Sequence, residues 1–439
     1  MSSAVLYRLY LLPVLFLALP GMTAGAPDGP LTLAAALATV SDRHPRVAEE
    51  RAALSLAEAE SRAVAAEDDL RIGISLEGRV IEPNPVAEDQ SSADSTAVVY
   101  ARKRLYDFGY RDGLLAEADA GIASHHYRYL GAVSQHRLRV MRLFFDVLLA
   151  DLEYTRDNEA MAVGYVQFDR DRHRNELGQR ADIEVLEKEQ EYQARRIARH
   201  ASEARMRASR ARLALAMNRP GDLPVELVPP ELPEPEQPLP DYETLVEQAL
   251  NENTMLQAVR KELEAAEWNV RAMRRRHGPT LTGGLQARTS QRDVGSEDPL
   301  QAELVLDIPL YQGDRAPADV ARAQAKLQRI EAELLQLQYR LRQQVLDTWQ
   351  AIQTLKVRQE QDRVVTEYNQ LNFDRSQARY ELDMETDFGD ALVGQSESSL
   401  MRARTRYELA YQWARLALLT GQPYAPSLIL PGNGTGVTP

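Results

Sequence analysis

The sequence predicts a mainly α-helical chain with a small β part, in which long coiled-coil hairpins carry four β-strands. Three observations point there. Ala, Leu, Glu, Arg and Gln are abundant, aromatic content is 6% and glycine is scarce inside long stretches, a composition that favours long helices. Period-two alternation interrupts the helical pattern in four short segments. The whole plan also occurs twice: VYARKRLYDFGYRD (99–112) and LVLDIPLYQGDR (304–315) each run from an alternating stretch through a small turn into a long charged helix, with Leu105-Tyr106 and Leu310-Tyr311 separated by 205 residues.

At the N-terminus, Arg8 precedes the apolar stretch LYLLPVLFLAL (9–19), and small residues follow at Ala24, Gly25 and Ala26. An apolar core this short, interrupted by Pro13, reads as a cleaved secretory signal over residues 1–26; Pro27 disfavours a cut directly after Ala26 and leaves the cleavage site open. No later apolar run reaches the roughly 18–20 residues of a spanning helix. An exported mature chain without a transmembrane helix is therefore expected. The net charge of −13 argues against a nucleic-acid partner held through its phosphates. Absence of cysteine removes disulfides, thiolate metal ligands, cysteine nucleophiles and N-terminal lipidation together.

Internal repetition organises the rest. Residues 31–60 align with 240–269 at a constant offset of 209, setting Pro45-Arg46-Val47 on Thr254-Met255-Leu256 and Ala57 on Ala266. The same offset sets Ile72, Ile74 and Leu76 on Leu281, Gly283 and Leu285. Further on, LALAMNRP (213–220) resembles LALLTGQP (416–423), and Asp182 meets Asp387 at an offset of 205. The order of the matches is the same in both halves. The chain is thus read as a tandem duplication, with a first repeat at 27–219, a linker at 220–241, a second repeat at 242–422 and an irregular tail at 423–439. Proline in the linker removes amide donors and fixes φ, so neither helix nor central strand continues through it.

Each repeat reads helix, two strands, long helix, shorter helix. Helices are expected at 31–69, 110–176 and 181–217, then at 242–276, 316–380 and 385–420. At about 1.5 Å rise per residue the longest reach on the order of 100 Å. Leu327, Ile330, Leu334, Leu337 and Leu341 alternate spacings of three and four, the signature of a coiled-coil seam. Leu335, Tyr339 and Leu346 add a second stripe. An antiparallel bundle within one molecule explains the first stripe, whereas two stripes ask for neighbours on two sides and suit a closed ring of helices.

The strand candidates are LRIGISLEGRV (70–80), STAVVYARKRLY (95–106), TLTGGLQARTS (280–290) and QAELVLDIPLY (301–311), joined in pairs by polar loops. In the first, Ile72, Ile74, Leu76 and Val80 alternate with Arg71, Gly73, Ser75, Glu77 and Arg79. In the last, Ala302, Leu304, Leu306 and Ile308 alternate with Gln301, Glu303, Val305 and Asp307. Any half-buried soluble sheet shares this pattern, but segments of about ten residues with one apolar face also match transmembrane β-strands. Ile72, Ile74, Leu76, Leu304, Leu306 and Ile308 would then face lipid. Four strands cannot close a barrel, and an open edge in lipid leaves unpaired backbone groups that cost several kcal/mol each. Several chains must each contribute a sector, and three would supply a 12-stranded β-barrel. Pro309 and the YQGD turn would release the chain into the next helix, provided that Pro309 sits where a missing donor is tolerated.

With these features in place the sequence resembles the TolC-like outer-membrane factors, the outer membrane efflux protein family, from about Leu31 to Pro423. The resemblance rests on the two-fold repeat, the segments ALATVSDRHP (36–45) and ALNENT (249–254) opening each half, the turns LYDFG (105–109) and IPLYQGD (308–314), and YELDMETDF (380–388). It implies a homotrimer in which a 12-stranded barrel in outer-membrane lipid continues into a long periplasmic α-barrel. It also implies partnership with a periplasmic adaptor (membrane fusion) protein and an inner-membrane transporter. Acidic side chains near the periplasmic tip line the constriction in such proteins, where a ring of carboxylates favours cations. Asp387 and Asp390, three residues apart and so on one helical face, match that acidic pattern when counted back from Tyr407. Counted forward from Arg379-Tyr380-Glu381-Leu382, the register slips by two and Gly389 takes the acidic position. Capping and solvated acids at a helix start are the alternative. The first-half counterpart keeps a turn glycine at Gly178, and the resemblance implies an adaptor-docking surface at Gly178, Asp182 and Asp383.

No catalytic constellation emerges, and neither an enzyme nor a cofactor or metal site is expected. The seven histidines are scattered and read as solvated surface residues; adjacent His125 and His126 point to different helix faces, a poor metal geometry. Gly-rich phosphate loops and nucleophile elbows are missing. The expected function is a passive, gated export duct in a tripartite efflux or type I secretion system. A soluble periplasmic coiled-coil adaptor or scaffold is the alternative. The cargo and the pump served are not legible.

Overall fold

The computed structural model describes residues 29–86, 89–232, 238–291, 299–382 and 387–422. The expected signal segment (1–26), the tail after Gln422 and Asp383 lie outside the described residues. Twelve elements follow along the described chain: α1 (Leu33–Ala38), α2 (Pro45–Ala66), β1 (Arg71–Val80), β2 (Ala93–Tyr106), α3 (Tyr110–Glu176) and α4 (Asp182–Ala216), then α5 (Tyr242–Glu252), α6 (Thr254–Arg275), β3 (Thr280–Ser290), β4 (Leu300–Asp307), α7 (Arg315–Glu381) and α8 (Phe388–Leu419). The two halves have the same order of elements. Helices α3 and α7 are both 67 residues long, and α2 and α6 are both 22.

Three boundaries differ from the sequence expectation. The helix expected over 31–69 is broken at 39–44, because Pro45 has no amide to donate and instead opens α2 at its first turn. His44 caps that start, its Nδ1 accepting from the Arg46 amide at 3.3 Å. The helix expected over 242–276 is broken at Asn253, whose side chain accepts from the Leu256 amide at 3.1 Å and donates to the Leu419 carbonyl at 3.1 Å. Asn253 thus caps α6 and ties it to the end of α8. The last strand stops at Asp307 rather than Tyr311. Its partner β3 begins at Thr280, which pairs with Asp307, so Ile308 has no residue opposite it. Pro309 falls outside the ladder, where its missing donor costs nothing, and Gly313 makes the turn into α7 with φ +63°.

The strands form one antiparallel sheet in the order β1-β2-β3-β4, with β2 and β3 joining the halves. Below it the helices form a layer four wide. Beside the sheet, α3 is flanked by α2 and α6, and α6 by α7; farther along, the order becomes α4-α3-α8-α7. The densest packing lies where these two zones meet. Val140, Met141, Phe144 and Phe145 of α3 are fully buried against Leu33 of α1, Leu213 of α4, and Leu227 and Leu232 of the linker. Each such side chain contributes about 1.5–3 kcal/mol by leaving water, so this belt anchors the long, otherwise narrow seams. The seam residues Leu327, Ile330, Leu334 and Leu337 pack on Val259, Leu263 and Ala266 of α6. The second stripe is different, since Leu335 and Tyr339 are exposed.

The histidines also depart from expectation at one position. His136 is buried rather than solvated, because α3 carries it under the α1–α2 turn and against the end of α4. Its ring stacks on His44 at 3.7 Å, and its Nε2 lies 2.9 Å from the Ala216 carbonyl.

Candidate functional site

Two surfaces stand apart from the packed layer: the sheet and the helix tips. Pairing places Ile72 opposite Ala101, Ile74 opposite Val99 and Leu76 opposite Ala97, then Val99 opposite Ala287 and Leu285 opposite Ala302. Side chains alternate between faces along a strand, so Ile72, Ile74, Leu76, Val99, Leu304 and Leu306 all lie on one face. These six are exposed, so nothing among the described residues covers that face. Ile308, expected with them, lies beyond the end of β4. The other face is polar. Arg79 pairs with Asp94 at 3.3 Å, Gln286 with Gln301 at 2.5 Å, and the Arg102 guanidinium lies over the Tyr100 ring at 5.1 Å.

The sheet meets the helices through two buried carboxylates. Asp68, after α2, lies 3.2 Å from Arg104 of β2 and 3.6 Å from Arg111 of α3. In the second half the charges are exchanged: Asp319 of α7 accepts from Arg276 at 3.1 Å and lies 3.0 Å from His277, both after α6. The hydrogen bond from His277 holds the Asp319 carboxyl below its ordinary range. Asp107 closes the first junction by accepting from the amides of Gly109 at 3.1 Å and Arg111 at 2.7 Å. Sequence reading missed Asp68 and Asp319, since their partners lie on separate elements.

At the far end, Gly178 has φ +70° and ends α3, its amide donating to the Asn175 carbonyl and the Gln179 amide to Arg174. This is the Schellman arrangement. Asn175 bridges the tip by donating to the Arg180 carbonyl and the Asp182 carboxylate, each at 2.9 Å. Glu184 accepts from the Ala181 amide at 2.9 Å and from Arg180 at 2.8 Å. At the second tip Asp387 occupies the position before α8, and its side chain caps no amide. Asp390 follows in the first turn, and among the described residues neither carboxylate has a hydrogen-bond or ion-pair partner; both are exposed. A Cβ on Gly389 would lie 2.8 Å from the Val163 side chain, so α8 starts close against α3. Phe388 packs between Phe373 and Tyr380, both at 5.4 Å, and fixes the start of α8 against α7.

Among the described residues no helix is long and apolar enough to cross a membrane, and no group of acids or histidines is placed to hold a metal ion. Comparison with known proteins reaches part of the chain in sequence and most of it in fold. Residues 245–422 match the outer membrane efflux protein family. The first half, which the match does not reach, has the same order of elements as this outer membrane efflux protein domain. None of the curated proteins matches the chain in sequence. Among solved structures the fold is similar to the Campylobacter jejuni CmeC outer membrane channel (TM-score 0.76, 11% identity, covering 89% of this chain and 85% of that one). It is similar also to the outer membrane protein VceC of Vibrio cholerae (0.69, 14%, 89% and 96%). A third likeness is the open state of the Neisseria gonorrhoeae MtrE outer membrane channel (0.66, 14%, 89% and 89%).

Proposed function

We propose that this protein is the outer-membrane channel of a tripartite efflux or type I secretion system, a passive duct formed by three copies of the chain. The observation that carries this reading is the open four-stranded sheet with an exposed apolar face. In water such a face and two free edges are a liability; in a barrel shared by three chains the apolar face meets lipid and every edge finds a partner. Strand number fits as well. With four antiparallel strands, β1 and β4 run in opposite directions, so the next copy continues the alternation. The helices offer matching seams, because the outermost helices of the layer, α4 and α7, carry exposed Ile183, Leu186 and Ile197 and exposed Val357, Val364 and Leu371. A soluble adaptor or scaffold gives no account of the exposed sheet face.

In this reading the helix tips close the periplasmic end. The free carboxylates of Asp387 and Asp390, repeated by symmetry, make an acidic ring that favours cations, and untwisting of the tip helices opens it. The tip around Gly178 and Asp182 meets the adaptor, with Asp383 assigned the same role from the family pattern. Conductance of purified protein in a planar bilayer tests the reading. The expected result is a stable channel whose cation preference falls on replacing Asp387 and Asp390 by Ala. Recovery as a non-conducting soluble monomer contradicts the duct, and unchanged ion preference removes the two acids from the constriction.

A further inference from the structure

A cavity of about 380 Å³ lies against α3, α4, α7 and α8 together. Five arginines line it, Arg142, Arg205, Arg212, Arg358 and Arg404, against three acids, Asp146, Glu153 and Glu408. The acids are engaged. Arg142 pairs with Glu408 and lies 3.4 Å from Asp146, and Arg205 lies 3.1 Å from Glu153. Arg212, Arg358 and Arg404 are exposed and make no hydrogen bond or ion pair among the described residues.

Two observations place this cavity on the inner side of the helix layer. It is lined by α4 and α7, the outermost helices in the order α4-α3-α8-α7, as well as by the two between them, so the layer bends around it and the cavity lies on the concave side. The linker marks the opposite side. Its carbonyls accept from Arg210 of α4 at Pro224, from Arg406 of α8 at Leu232, and from Trp349 of α7 at Pro240. At 100° per residue, Arg212 is about 160° from Arg210, Arg404 about 160° from Arg406, and Arg358 about 180° from Trp349. When three copies close, the concave side is the lumen.

We infer that the three free arginines of each copy form a cationic collar inside the duct that binds phosphate- or carboxylate-bearing cargo. The inference rests on the duct reading above and names a substrate class for it. Guanidinium groups present donors in a planar fork that matches both anions, and a water-filled lumen bounded by protein weakens such attraction less than open solution does. The collar and the acidic tip would act in series, one on anions held in transit and the other at the closed end.

The test is block of channel current by tripolyphosphate in a planar bilayer. Wild type should be blocked, and R212Q/R358Q/R404Q should conduct normally yet need at least about ten-fold more tripolyphosphate, which corresponds to a loss of about 1.4 kcal/mol of attraction. R207Q/R402Q, which removes two exposed arginines turned toward the linker side, should be blocked like wild type. Raising KCl to about 1 M should weaken the wild-type block by screening. Equal block of wild type and the triple variant overturns the collar, as does equal loss of block in R207Q/R402Q. Absence of any wild-type current removes the duct and the collar with it, whereas current without block removes the collar alone.

Discussion

Single residues at helix ends separate backbone strain from packing. Asn218 and Gly421 occupy equivalent positions in the two repeats, both with positive φ, and both close a Schellman turn: Arg219 donates to the Ala214 carbonyl and Gln422 to that of Ala417. Asparagine serves at the first because it tolerates the left-handed region. At the second even a methyl group is excluded, since a Cβ on Gly421 would lie 2.2 Å from the Glu252 carbonyl oxygen. Gly178 has the same backbone but nothing within 4 Å. Gly178→Ala should therefore cost only the backbone term, about 1–2 kcal/mol, and Gly421→Ala clearly more, as read by denaturant unfolding. Equal losses would contradict this account. His136 makes a second prediction. Burial, and then the neighbouring His44, push its imidazole below the ordinary value of 6.5, with Arg139 and Arg46 also facing it. The unfolded chain takes up a proton as pH falls through about 6.5 while the folded chain withholds it. Stability is thus full above that pH and declines below it, by at most about 1.4 kcal/mol per pH unit for each withheld proton. His136→Gln should flatten the slope of stability between pH 7 and pH 5; an unchanged slope assigns the acid sensitivity elsewhere.

At the scale of elements, the sheet makes the sharpest statement because adjacent residues must behave oppositely. Val99 lies on the exposed apolar face in a central strand, paired with Ile74 and Ala287, while Val98 lies on the polar face, paired with Ser75 and Arg288. Val99→Arg should impair membrane assembly, at about 2–4 kcal/mol per copy for arginine at mid-depth, whereas Val98→Arg should assemble normally. Both are read by the yield of trimer in the membrane fraction. The long helices were legible in the sequence because turn residues punctuate them, and the strands because alternation survives in β1 and β4. The break at 39–44 was hidden by the continuous Ala/Leu pattern on either side of it, although Pro45 carried the signal. The early end of β4 was not legible, since alternation runs on through Ile308 and only the start of β3 stops the ladder. The same holds for the arginine-lined cavity: four separate helices supply its wall, and no single segment contains enough of it to be noticed.

For the whole molecule, the central issue is what covers the surfaces that one chain leaves open. The free edges of β1 and β4, the exposed apolar sheet face and the exposed seams of α4 and α7 are three kinds of surface that ordinary soluble folds bury or blunt. The proposed duct accounts for them jointly: each half contributes one hairpin and one helix pair side by side, and in that proposal further copies close both the sheet and the helix layer. Because the chain contains no cysteine, introduced cysteines report on that closure without background. Paired substitutions on the two free edges, Ser75→Cys on β1 combined in turn with Glu303→Cys or Val305→Cys on β4, should form disulfides between copies on oxidation in membranes. The account predicts a ladder that ends at three linked chains while the protein still conducts in a planar bilayer; a chain that never cross-links to a second copy, or a ladder that continues beyond three, contradicts it.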